Sequence, residues 1–432
     1  MVHKWDLKMI KRLSLKGVGL GFLIVVVVLY VAYQKNLIRL YTAVTLYDED
    51  KIANNFLTMY ESFNATVIPA SSAPFQFPEE PKSLPEEFDY ENQSMSLTAF
   101  LDDTQTTGLL VLKDGIIVYE NYWLGHARDR QHISFSMAKS FVSALMGIAI
   151  AEGFVTSIEQ AVTDYVPELV GSGYAGVSIK DVLQMSSGVG FNEDYGDFNS
   201  DINRFSRATA FGTPLDDFSA SLVREREPGT YHHYVSIDTQ VLGMVLTRAT
   251  GKSLTDYLSE KIWQPLGMEH QAFWLADDNG MELALGGLNV SLRDYAKLGW
   301  LYLNQGKWTD KQGNAQQVVP KQWVIDSITA DAPHLIAGEN NPASSSSFGY
   351  GYQWWLPLGA EDEFAAQGIY NQYIYIDPDQ KLVIVKNSAN YRFTDKSLHW
   401  TAKHYALFRA ISEHFSKVHL KVKDKYFELR EK

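Results

Sequence analysis

Residues 136–153 read SMAKSFVSALMGIAIAEG. The run is apolar on nearly every side, with small residues at Ala138, Ser140, Ser143, Ala144, Gly147, Ala149 and Ala151. A helix that is apolar all round has no face to offer water, so it belongs inside a fold. Its small side chains let neighbouring elements approach closely, and Gly153 supplies the stop. Ser136 stands at or just before the helix N-terminus, where free N–H groups and the helix dipole favour negative charge. Lys139, three residues on, shares its face at about 5–6 Å between Cβ atoms. Desolvation in such a helix favours the neutral amine. A neutral lysine can take the serine proton and leave a nucleophilic alkoxide. Taken alone, the tetrad also fits a Ser136 that caps a helix and a Lys139 on its surface.

A second stretch, residues 228–251, reads PGTYHHYVSIDTQVLGMVLTRATG. Tyr234 and Ser236 sit just before a helix that starts near Ile237 or Asp238. Tyr234 can relay a proton to a leaving group if a nearby cation such as Lys139 lowers its pKa. The alternatives are a packed core tyrosine and, for Ser236, an N-cap.

Working outward, residues 107–112 and 116–121 are rich in β-formers and flank Lys113-Asp114-Gly115, which predicts a β-hairpin. A second strand pair is expected near the other end: 364–376, a turn at Asp377-Pro378-Asp379-Gln380, then 381–386. Helical spacing covers 136–151, 178–185, 237–249, 253–262, 291–305, 320–328 and 397–415. Strands at both ends around a helical middle predict an α+β fold, with an antiparallel sheet assembled from both termini beside a mostly helical region.

The N-terminus departs from the soluble pattern. Residues 17–34 (GVGLGFLIVVVVLYVAYQ) carry no charge. Eighteen residues at ~1.5 Å rise span about 27 Å, near the thickness of a bilayer core. Residues 1–16 hold five Lys/Arg against two in residues 35–50, which by the positive-inside bias leaves 1–16 in the cytoplasm. The expected organisation is therefore a cytoplasmic basic segment (1–16), a transmembrane anchor (17–34), a stalk and Pro-rich linker (35–94), a catalytic domain (95–418) and a charged tail (419–432). The linker expectation rests on five of the chain's 14 prolines falling in residues 69–85, which no helix or central strand accommodates. That order places the domain on the periplasmic side of an inner membrane.

Composition excludes several chemistries. The 432 residues hold 38 Lys+Arg against 51 Asp+Glu, a formal net charge of −13, and no cysteine. The charge disfavours nucleic acid as a partner. Lack of cysteine removes thiol nucleophiles, zinc–thiolate sites and disulfides. There is no G-x-S-x-G and no H-E-x-x-H, and the adjacent His232-His233 lacks ligand spacing. Gly251-Lys252-Ser253 resembles the tail of a phosphate loop, but its first glycine would fall at Leu246. No metal or cofactor is implied.

At this point the chain resembles the serine β-lactamase-like hydrolases, closest to the class C-related branch of esterases and 6-aminohexanoate-dimer hydrolases. The resemblance spans roughly residues 50–415 and rests on seven ordered blocks: SMAKS (136–140), IKDVLQMSSGVGFNEDY (179–195), PGTYHHYVSIDTQVLG (228–243), WQPLGM (263–268), GGLNVSLRDYAKLG (286–299), FGYGYQWW (348–355) and AAQGIYNQYIYIDP (365–378). It implies the β-lactamase/transpeptidase fold, with Ser136 as acylated nucleophile, Lys139 as its base and Tyr234, first residue of a Y-x-[NS] element, as proton relay. Ala366-Gln367-Gly368 then takes the place of the family's K-T-G strand motif. The N–H groups of Ser136 and Ile369 form the oxyanion hole, and Tyr195, Gln367, Gly368 and Ser236 contact substrate.

Two departures matter. No K-T-G or H-x-G occurs, so the cation that meets a substrate carboxylate in true β-lactamases is replaced by Ala366. Y-x-S stands where β-lactamases have Y-x-N. Both fit the esterase and amidase branch, and with the anchor the expected function is a membrane-anchored serine hydrolase cleaving a small ester or amide through an acyl-enzyme. The rivals are a cell-wall peptide carboxypeptidase of the same fold and a tethered binding protein without turnover. Oligomeric state is left open.

Overall fold

The computed structural model describes residues 15–359 and 362–428, less the side chains of 15–19, 28–33, 35–36 and 417–428. A seven-stranded antiparallel sheet runs in the order Gly349–Tyr350, Trp355–Leu356, Phe364–Gly368, Gln372–Asp377, Leu382–Ser388, Thr106–Lys113, Ile116–Tyr122. The hairpin near the N-terminus thus pairs with the C-terminal strands, with Leu110 opposite Val385, as the two-ended pattern predicts. Asp114 and Gly115 form its tight turn, at φ 52° and 80°, the geometry that matches strand twist.

Alternation sorts the sheet into two faces. Leu110, Leu112, Ile374, Val383 and Val385 join Phe141, Val142 and Leu145 of the buried helix Ala138–Ala151 in one core. Leu109, Val111, Tyr373, Tyr375 and Ile384 face the C-terminal helix Trp400–Glu428 through Tyr405, Phe408 and Ile411. A smaller four-stranded sheet, ordered Ala65–Ile68, Ala272–Leu275, Leu288–Ser291, Gln131–Ile133, delivers the chain into the turn that carries Ser136.

Four expectations need correction. The single strand expected over 364–376 is two strands, because Tyr370 and Asn371 adopt left-handed backbone at φ 62° and 67° and reverse the chain. Neither is glycine, so the turn has no strong local signal. The boundary expected near residue 95 lies inside the packed body: Ala65–Ile68 pairs with Ala272–Leu275, and Ile52 and Phe56 are fully buried. The proline-rich stretch is a surface wrap rather than a linker, with Ile117 N–H donating to Pro78 O (2.8 Å) and Glu80 N–H to Ile117 O (2.9 Å). The tail expected at 419–432 continues the C-terminal helix as far as Glu428; residues 429–432 lie outside the described residues.

At the other end, a helix runs over Leu15–Thr45. Among the described residues no helix is long and apolar enough to cross a membrane. Part of the expected span, the side chains of 17–19 and 28–33, lies outside the described residues.

Candidate active site

The strand Gln131–Ile133 ends at Ser134, whose N–H donates to Leu288 O (2.7 Å). The chain then turns through a short 3-10 helix, Phe135–Met137, into the helix Ala138–Ala151. Every residue of that helix from Ala138 to Ala149 is buried. Its small side chains are needed: a Cβ on Gly147 would lie 2.4 Å from the Trp323 ring. Phe135 takes left-handed backbone, φ 44°, a conformation that an aromatic residue keeps only when its surroundings hold it. Ser136 follows it and is half-buried.

Lys139 is 1% exposed, and three groups converge on its Nζ: Ser136 Oγ at 2.9 Å, Ser236 Oγ at 3.3 Å and Leu285 O at 2.7 Å. Hydrogen counting orients this triangle. Ser236 spends its own hydrogen on Glu193 Oε1 (2.5 Å), so towards Lys139 it can only accept. Leu285 O can only accept as well. A neutral amine has two N–H groups and one lone pair. The two N–H groups go to Ser236 and Leu285, leaving the lone pair for the Ser136 hydroxyl. Burial drives the Lys139 pKa down to about 7, against the opposing pull of the Glu193 and Asp238 charges, so the neutral form is well populated at neutral pH.

Tyr234 is half-buried, with its ring 5.4 Å from Lys139 Nζ. It stacks on Trp355 (5.1 Å, 23°) and meets Tyr350 edge-on (6.1 Å, 85°). Burial and the Glu193 charge raise its pKa, while the Ser136 and Ser236 hydroxyls pull the other way. The phenol therefore keeps its proton. The expectation that Lys139 would acidify Tyr234 does not hold, and the group is a neutral hydrogen-bond donor. Ser236 opens the helix Ser236–Thr250 without capping it; the cap position is Val235.

Glu193 was not singled out in the sequence. It accepts from Ser236 N–H (3.0 Å), from the Ser236 hydroxyl (2.5 Å) and from the Tyr195 hydroxyl (2.8 Å). Its place inside the FNEDY stretch was visible, but nothing local shows that it meets a residue 43 positions away. Tyr195, expected to contact substrate, spends its hydroxyl on Glu193 and packs edge-on against Phe393 (5.6 Å, 69°).

The strand Phe364–Gly368 runs along the nucleophile turn. A Cβ on Gly368 would lie 2.6 Å from Ser134 O, so only glycine permits the approach. Ile369, next in the chain, and Phe135 both pack against one apolar cluster. Gln367 is not brought to the site. Strand alternation turns its side chain to the opposite face, where its amide donates to the Tyr405 hydroxyl (2.8 Å). The Ala366 side chain joins the core on the nucleophile-helix side, so this position presents a methyl group where a cation would stand in a K-T-G motif. Among the described residues no three His, Asp or Glu side chains converge as a metal site.

The chain is similar in sequence and in fold to known proteins. A family model described as Beta-lactamase matches residues 97–405. The 6-aminohexanoate-dimer hydrolase of Paenarthrobacter ureafaciens is 30% identical over 295 residues, covering 67% of this chain and 74% of that protein. A candidate D-alanyl-D-alanine carboxypeptidase of Escherichia coli K12 is 25% identical over 214 residues, 44% of this chain and about half (48%) of that protein. In three dimensions, a protein from Bacillus anthracis assigned as a 6-aminohexanoate-dimer hydrolase shares the fold at TM-score 0.76 and 24% identity, covering 86% of this chain and 96% of that one.

Proposed function

The chain belongs to the beta-lactamase family and is a serine hydrolase of that fold; we propose that it cleaves a small ester or amide through an acyl-enzyme on Ser136. The observation that carries this reading is the pair of acceptors, Ser236 Oγ and Leu285 O, around Lys139 Nζ, which leaves its lone pair to Ser136. Ser136 Oγ attacks the carbonyl carbon as its proton passes to Lys139. The N–H groups of Ser136 and Ile369 hold the oxyanion. The proton then returns through Lys139 and the Tyr234 hydroxyl to the departing alcohol or amine. Water hydrolyses the ester by the same route in reverse.

The methyl group of Ala366, in place of a cation, supports a substrate without a carboxylate beside the scissile bond. The relative that hydrolyses an aminohexanoate dimer supports the amide as much as the ester. The carboxypeptidase reading is favoured by the Escherichia coli relative and opposed by Ala366. A panel of p-nitrophenyl esters, short linear amides and fluorescent penicillin separates the two. Turnover of esters or amides with no stable penicillin adduct is expected; a long-lived penicillin adduct with no ester turnover would favour the carboxypeptidase.

Anchoring in an inner membrane, with the catalytic domain outside the cytoplasm, is part of the proposal. It rests on the uncharged run 17–34 and the five-against-two Lys/Arg asymmetry around it. A reporter fused after residue 60 is expected to be active only in an export-dependent form such as alkaline phosphatase. Activity of a cytoplasm-dependent reporter at the same junction would reject this orientation.

A further inference from the structure

The turn Ile369-Tyr370-Asn371 is held from two sides by groups the mechanism does not use. On the inner side, the fully buried Gln372 directs its amide at three carbonyls: Ile369 O (3.3 Å), Tyr370 O (3.3 Å) and Ser388 O (2.6 Å). Asn387 Nδ2 (3.1 Å) and Ser388 N–H (3.1 Å) fix the amide oxygen of Gln372 in turn. On the outer side stands a cluster of rings. Phe56, from the helix Ile52–Ser62, meets Phe135 edge-on at 4.9 Å and 73°, and Tyr370 at 4.9 Å and 69°. Phe135 and Tyr370 lie 5.1 Å apart. Tyr47 stacks on Tyr370 at 5.4 Å and 12°.

Phe135 and Tyr370 are the two residues beside Ser136 and Ile369, and both hold left-handed backbone, φ 44° and 62°. For an aromatic residue that region is uncommon and costs energy unless the surroundings hold it there. Phe56 is the ring that touches both, and it is fully exclude from water by them and their neighbours, at 0% exposure. It also lies outside residues 97–405, the part of the chain that the family model matches. Asn55, its neighbour, ties this helix to the preceding chain by donating to Thr45 O and Leu46 O (both 3.0 Å).

We infer that the segment 46–62 is a working part of the active site, with Phe56 as a positioning residue that sets the spacing of the two oxyanion N–H groups by packing on Phe135 and Tyr370. The inference rests on the hydrolase reading, and in particular on Ile369 as an oxyanion donor. Removing the ring lets both strained turns relax. A shift of about 1 Å in a donor costs up to 10²-fold in rate with little effect on ground-state binding.

The test compares Phe56→Leu with Phe100→Leu in the full chain. Phe100 is also buried, at 3% exposure, in the cluster on the opposite face of the main sheet, so it controls for loss of core packing. For a p-nitrophenyl ester, Phe56→Leu is expected to lower kcat roughly 10-fold with KM within about twofold. Phe56→Ala is expected to lower it further. The pH midpoint of the rate should stay in place, since Lys139 is untouched. Phe100→Leu is expected to lose comparable thermal stability and keep kcat. Equal kcat in both leucine variants, at matched loss of Tm, would overturn the inference while leaving the hydrolase intact. A wild-type chain that turns over no ester or amide would instead overturn the hydrolase reading itself.

Discussion

Ser136→Ala is expected to abolish covalent labelling by a fluorophosphonate and to lower kcat/KM for a p-nitrophenyl ester by roughly 10⁴-fold or more. The size follows from what is lost. The neighbouring serines are already engaged: Ser236 has its hydrogen committed to Glu193, and Ser134 has its own committed to the Phe135 carbonyl (2.9 Å). The fold should be unaffected, because Ser136 is half-buried and its hydroxyl is not a helix cap. Lys139 keeps two of its three partners in the variant. The measurement is labelling and steady-state turnover on both proteins, with circular dichroism to confirm the fold. Undiminished labelling of the alanine variant would remove Ser136 from the mechanism.

Lys139→Arg should cost nearly as much, roughly 10³-fold in acylation. Arginine stays protonated in proteins, so it has no lone pair for the Ser136 proton. The pH dependence of the wild type follows from the same group. Burial lowers the Lys139 pKa to about 7, and the reactive form is the neutral one. The rate should therefore rise with pH through about 7 and level off above it. Glu193 works in the other direction by favouring the ammonium. Glu193→Gln is therefore expected to move the rising limb to lower pH, whereas loss of a purely structural residue would lower the rate without moving it. Pre-steady-state acylation between about pH 5 and 9 reads both effects. Turnover in Lys139→Arg within a few-fold of wild type would show that the amine is not the base.

The panel of residues around Ser136 shows how differently sequence and structure contribute. Ser136 and Lys139 were legible because helical periodicity carries three-residue neighbours to one face, and an all-apolar run demands burial. Tyr234 and Ser236 were legible as residues at a helix start. Their chemical states were not. That Tyr234 stays a phenol depends first on its burial and then on Glu193, which reaches the site from a loop about forty residues upstream. Gln367 failed for a simple geometric reason: in a strand the side chain one residue along points to the other face, and a one-residue difference decides between substrate and the Tyr405 hydroxyl.

Local pattern by itself established the fold class, the two-ended sheet, the buried helix and the dyad on it, since these follow from periodicities of two and 3.6 residues. It also established the absence of thiol chemistry. Only the folded chain settled the rest: that residues 46–94 belong to the body, that Tyr370 and Asn371 reverse the chain between two strands, and that Lys139 has one direction left for its lone pair. Each of these depends on contacts between residues far apart in the chain, which no local window of sequence contains.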